Sequence, residues 1–189
     1  TASSRWSLAS WIRISPDKAL MKPKDIQPIS MVIQIPEDAL PGGHYAMVLH
    51  SPDYSATLSG TGSTLSQNVG TLVYLTVEGP ITEDADVTRF VTDKKLAEYG
   101  PIDFTTEIEN LSDIHIMPKG SVKVYNMLQN KVADLQLDEA NIFPFKTRIF
   151  ENTFPGKWRL GRYQAVLTAN YGPSNKTLQA MLYFWIIPW

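Results

Sequence analysis

Cysteine is absent from all 189 residues. That excludes a disulfide framework, cysteine-ligated zinc, iron–sulfur clusters and thiol catalysis. An excess of positive charge is also missing. Lys and Arg number 17 against 19 Asp and Glu, the formal net charge is -2, and Lys94-Lys95 is the sole adjacent basic pair. A chain with that balance carries no electrostatic footprint for a phosphate backbone, so nucleic acid is not expected as a partner. No apolar run approaches the roughly 18–20 residues of a membrane helix. The opening Thr1-Ala2-Ser3-Ser4-Arg5 lacks the basic-then-apolar order of a signal peptide, and the chain reads as a processed or truncated product.

What the chain does have is a hydrophobic content of 43%, enough for a packed core, and a period of two. Ile29-Ser-Met-Val-Ile-Gln-Ile35 alternates apolar and polar positions and stops at Pro36; Tyr45-Ala-Met-Val-Leu49 follows Pro41-Gly42-Gly43. Thr71-Leu-Val-Tyr-Leu-Thr-Val77 is rich in β-branched and aromatic residues and stops at Gly79-Pro80. Further strands are expected over residues 87–92, 102–109, 121–127, 131–137, 145–150, 163–171 and 178–187. Thirteen prolines and eleven glycines break the chain at short intervals, which suits β-sandwiches and starves long helices. Two short helices are expected, over residues 92–99 and 36–40. Residues 51–69, with Ser59-Gly-Thr-Gly-Ser63, read as a long solvated loop.

The expectation is an all-β chain of two tandem immunoglobulin-like β-sandwich domains, residues 1–80 and 81–189. The boundary falls where Gly79-Pro80 breaks pairing, ahead of the acidic Glu83-Asp84-Ala85-Asp86. The second unit shows seven or eight strands; the first shows four or five. Gly43-His-Tyr45-Ala-Met-Val-Leu49 is echoed by Gly161-Arg-Tyr163-Gln-Ala-Val-Leu167. Each Tyr is a candidate tyrosine corner, whose hydroxyl turns back to an upstream backbone group. Eukaryotic secreted domains of this type usually carry a cysteine pair, so its absence favours a prokaryotic source.

The order Ser10-Trp-Ile-Arg-Ile-Ser-Pro16, Leu20, Pro23, Val32-Ile-Gln-Ile-Pro36, Ala39-Leu-Pro-Gly-Gly-His-Tyr-Ala46 resembles the WxL-interacting, DUF916-like domain. The second half carries Tyr99-Gly-Pro101, Glu109-Asn-Leu-Ser-Asp-Ile-His-Ile116, Pro118-Lys-Gly120, Gly161-Arg-Tyr163 and Phe184-Trp-Ile-Ile-Pro-Trp189. It is similar to a membrane-proximal immunoglobulin-like domain in surface proteins of small-genome, uncultivated bacteria. The resemblance implies an exported, membrane-anchored binding or structural protein at the cell surface, with protein or peptidoglycan partners. It implies no site residue. The family's first domain usually begins with strands upstream of the Trp segment, and none is present here. An edge left open in that way admits a strand from another chain, as in a filament subunit assembled by strand donation.

Catalytic constellations are hard to find. His44, His50 and His115 are the only histidines, and the first two stand six residues apart on one expected strand, about 20 Å by strand rise. They cannot share one zinc ion. Glu83, Asp84 and Asp86, with Asp93, form the one acidic stretch where an interdomain calcium would sit, but the stretch lacks an EF-hand pattern. No nucleophile elbow, Walker loop, dinucleotide fingerprint or His-Glu-x-x-His occurs. Trp6, Trp11, Trp158, Trp185 and Trp189 are expected mostly in cores, Trp11 and Trp185 within apolar strands. Trp158, after a Pro-Gly turn, is the exposed candidate for stacking on a cell-wall glycan. No catalytic, cofactor-binding or metal-binding residue is assigned, and a hydrolase would need a cleft with facing carboxylates. The expected function is a non-catalytic surface interaction or structural protein, with a glycan-binding module as the alternative.

Overall fold

The computed structural model describes residues 5–22, 24–52, 68–155 and 160–187. The chain is all-β. Among the described residues the helical content is one 3-10 turn, Ala9–Trp11. Two compact units divide at Pro80/Ile81.

In the first unit, β1 (Ile12–Ser15) pairs antiparallel with β2 (Ser30–Ile33), and β3 (Gly42–His50) pairs antiparallel with β4 (Val69–Val77). A parallel bridge ties Ser7 to Tyr45, and Leu8 N–H donates to the Tyr45 carbonyl at 3.0 Å. Trp11 rests against His44 with ring centroids 4.4 Å apart. The expected helix over residues 36–40 is only a turn, closed by Ala39 N–H on the Pro36 carbonyl at 3.1 Å. Prolines at 36 and 41 leave too few backbone donors between them for more.

The second unit contains β5 (Ala85–Thr92), β6 (Leu96–Ala97), β7 (Ile102–Asn110), β8 (Lys119–Tyr125), β9 (Lys131–Gln136), β10 (Thr147–Phe154), β11 (Gly161–Tyr171) and β12 (Lys176–Ile186). One sheet has the order β10-β7-β5, the other β6-β12-β11-β8-β9. All pairs are antiparallel except β6 with β12. Strict alternation on β7, with Ile102, Phe104, Thr106, Ile108 and Asn110 buried, aims one row of side chains inward. Phe104 meets Phe184 of the facing sheet at 5.5 Å, edge to face, and Tyr163 stacks on Phe184 at 5.4 Å. Such aromatic contacts add about 0.5–1.5 kcal/mol each beyond area burial.

Residues 92–99 do not form the expected helix. They hold the end of β5, a bend and β6, because the β12 backbone takes their carbonyls: Trp185 N–H donates to Lys95 O at 2.9 Å and Ile187 N–H to Ala97 O at 2.8 Å. The strand expected over residues 145–150 begins at Thr147 and runs on to Phe154. The connection from β7 to β8 is pinned by Asn110. Its Nδ2 donates to the carbonyls of Ile114 and Ile142 at 2.8 and 2.9 Å, and its Oδ1 accepts Ser112 N–H at 2.8 Å.

Candidate interaction surfaces

The histidines do not converge. His44 is buried, and its Nε2 lies 2.9 Å from the Leu40 carbonyl, which can only accept, so that nitrogen carries the proton. The Trp11 contact and this bond make it a packing residue of the first unit. His50 is exposed at the far end of the same strand. His115 belongs to the second unit and is half-buried, and burial pulls its pKa below the ordinary imidazole value.

The acidic stretch is spread over separate structural duties. Glu83 accepts the Ser174 hydroxyl at 2.6 Å and the Ser174 N–H at 3.2 Å, and its own carbonyl accepts the Lys176 ammonium. It therefore straps the β11–β12 turn. The Asp84 carboxylate accepts Ala85 N–H, Asp86 faces Glu109 across the β5–β7 ladder, and Asp93 accepts Asp103 N–H at 3.0 Å. Among the described residues no group of three His, Asp or Glu side chains is placed to hold a metal ion. Two further polar side chains bond to backbone. Ser112 donates to the Asp84 carbonyl at 2.7 Å, and Asn152 donates to that of Gln136 at 2.8 Å.

The aromatic candidates divide. Trp158, Trp189 and Ser59-Gly-Thr-Gly-Ser63 lie outside the described residues. Trp11 is half-buried, and Trp6 is half-buried beneath the Arg5 guanidinium. Tyr163 is buried, whereas Tyr45 is half-buried with its hydroxyl folded over Gly43. Trp185 is not core. It stands 47% exposed, because an apolar run in a strand still sends alternate residues to opposite faces. Tyr183 shares that outer face, with Arg162 stacked over its ring at 5.1 Å.

Sequence reasoning did not foresee how little the first unit buries. Among its described residues the fully buried side chains of any size are Leu8 and His44. The β3–β4 ribbon is apolar on both faces. Ala46, Val48, Val73, Leu75 and Val77 on one face are half-buried, while Met47, Leu49 and Leu72 on the other are more than half exposed. β4 is nine residues long, holds no charge and no proline, and among the described residues pairs only with β3. Natural edge strands are usually protected by charge, proline or a bulge.

No protein-family model matches the chain, and no curated protein matches it.

Proposed function

We propose that this chain is a non-catalytic surface protein of a bacterium, built from two immunoglobulin-like modules and working by interaction rather than by chemistry. For the second module the supporting feature is strand order. β10-β7-β5 beside β6-β12-β11-β8-β9, with only β6 and β12 parallel, is compatible with an immunoglobulin sandwich whose first strand switches sheets. For the first module two small antiparallel sheets fit part of such a sandwich.

The observation that carries the interaction reading is the β3–β4 ribbon. A ribbon apolar on both faces belongs inside a larger sheet. The uncharged β4, which among the described residues pairs only with β3, fits strand addition, in which backbone bonds supply affinity and alternate side chains supply register. Assembly with an extended strand, including filament assembly by strand donation, follows from that edge. The ordered motifs that resemble WxL-interacting proteins point to the same surface setting.

The test is protease accessibility. In intact cells making the protein from its complete reading frame, external protease should destroy an epitope within residues 81–189 while a cytoplasmic marker survives. An epitope that stays protected until the cells are lysed would remove the surface reading.

A further inference from the structure

The sequence of β4, Val69-Gly-Thr-Leu-Val-Tyr-Leu-Thr-Val77, is close to symmetric about Val73. Val69 mirrors Val77, the small Gly70 mirrors Thr76, Thr71 mirrors Leu75 and Leu72 mirrors Tyr74. Laid antiparallel against a copy of itself, the strand sets Val73 on Val73 and Leu72 on Tyr74. None of the nine positions carries a charge or a proline, so no like charges meet and no ladder bond is lost. Every pair joins positions an even number of residues apart, so each face of the ribbon meets only its own kind.

The face bearing Leu72 and Tyr74 continues into β3. Leu72 stands opposite Met47 and Tyr74 opposite Tyr45, the two tyrosine rings edge to face at 5.6 Å. A two-fold axis at Val73 extends these into a row Met47–Leu72–Tyr74–Tyr45 and its two-fold mate, with the small Gly70 and Thr76 at the margins. Large side chains then lie beside one another across the axis, and such cross-strand neighbours are what stabilise a sheet.

The two edges of the ribbon differ. That of β3 is taken at its middle by residues 6–8, where Leu8 N–H donates to Tyr45 O at 3.0 Å and Tyr45 N–H to Trp6 O at 2.7 Å. β4 pairs only with β3 among the described residues. A nine-residue antiparallel ladder adds about eight to ten backbone bonds, as many as a standard-size interface carries. An uncharged strand has no means of selecting a charged partner strand. Its symmetry about one residue favours a copy of itself, since a two-fold interface must be complementary to itself.

We infer that β4 pairs antiparallel with β4 of a second copy about a two-fold axis at Val73, forming a closed dimer with a four-stranded sheet β3-β4-β4-β3. The inference rests on the strand-addition reading of β4 and names its partner. Pairing consumes both β4 edges, so assembly stops at two and does not run on as a filament.

Sedimentation velocity of the whole chain, over a concentration series, should show monomer passing to dimer with a Kd on the order of micromolar. Leu72 and Tyr74 are 51% and 39% exposed, so charge there spares the fold. L72K/Y74K sets like charges across the axis and should weaken dimerisation at least about tenfold, and L72E/Y74E should do the same. An equimolar mixture of the two variants should dimerise again, which also shows that both are folded. Because the chain has no cysteine, introduced thiols report the register. Opposed residues lie about 4.5–5.5 Å apart at Cα, within disulfide reach, so Val73→Cys should cross-link to itself. Thr71→Cys should not, its copies standing about 14 Å apart along the strands, but it should cross-link to Leu75→Cys.

The inference is overturned by a chain that stays monomeric, by oligomers larger than two, or by dimers that L72K/Y74K leaves intact. Self-linking of Thr71→Cys in place of Val73→Cys overturns the register. In a monomeric chain, amide exchange of β4 separates the two readings. Slow exchange means that its edge is covered from within the chain, and strand addition falls as well. Fast exchange leaves strand addition standing with a partner other than a second copy.

Discussion

Asn110 reaches Ile142 across 32 positions of sequence, its side-chain Nδ2 2.9 Å from the Ile142 carbonyl in a fully buried setting. Together with its bonds to Ile114 O and Ser112 N–H, that one amide satisfies three backbone groups. Leaving a buried polar group unpaired costs about 1–3 kcal/mol. Asn110→Ala should therefore destabilise the second unit by about 3 kcal/mol in urea denaturation. Asn110→Asp should do no better, since a carboxylate would face the two carbonyls. A loss below about 1 kcal/mol in either variant would refute the pinning role.

Gly172 combines two constraints that a double-mutant cycle separates. Its φ of +70° lies in the left-handed region, and a Cβ there would run into the Glu83 carboxylate. Gly172→Ala should cost about 1–2 kcal/mol for the backbone plus a steric penalty. In a Glu83→Ala background only the backbone part should remain, so the two changes should couple measurably. Strict additivity would mean that the strap moves aside freely.

His115 gives the second unit a pH dependence of known sign. Burial holds its pKa in the folded state below the ordinary value of about 6.5. The unfolded chain therefore binds the proton more readily, and stability falls as pH drops through the window below 6.5. The thermal midpoint should decline on acidification from neutral pH, and His115→Asn should flatten that decline. An unchanged slope in the variant would assign the acid sensitivity to other groups.

The two units should differ in protection. Leu8 and His44 are the buried anchors of the first, while the second closes a core around Phe104, Phe154, Tyr163, Leu167 and Phe184. Opening free energy follows buried contact. Amides of β3 and β4 should exchange well before those of β7 and β11 in mass-spectrometric hydrogen exchange, and the first unit should melt at lower denaturant. Equal protection would show that the ribbon has found a partner, in solution most simply a second copy.

Strand alternation was easy to read wherever one face is buried and the other wet. β7 is the clearest case, its inward row running from Ile102 to Asn110 without a slip. Residues 92–99 misled because β6 is held by what β12 needs, namely carbonyls for Trp185 and Ile187, and a need so distant in sequence leaves no local mark. Met127 extended the expected strand past Tyr125 because it is apolar, although the Asn126 turn sends it into solvent. Trp185 read as core for a similar reason. Hydrophobicity says that a side chain prefers cover, not which neighbour supplies it, and the exposed surface of the β3–β4 ribbon is the same lesson on a larger scale.

β5 and β12 run in the same sense, from the Glu83 end of the second unit to the Ile186 end. Tension applied between Thr82 and Ile187 would therefore pull along both strands at once, across ladder bonds that lie perpendicular to them. Those bonds would share the load and yield together instead of peeling apart in turn. The sandwich is thus shaped as a tie-rod, stiff along the axis that joins Thr82 to Ile187.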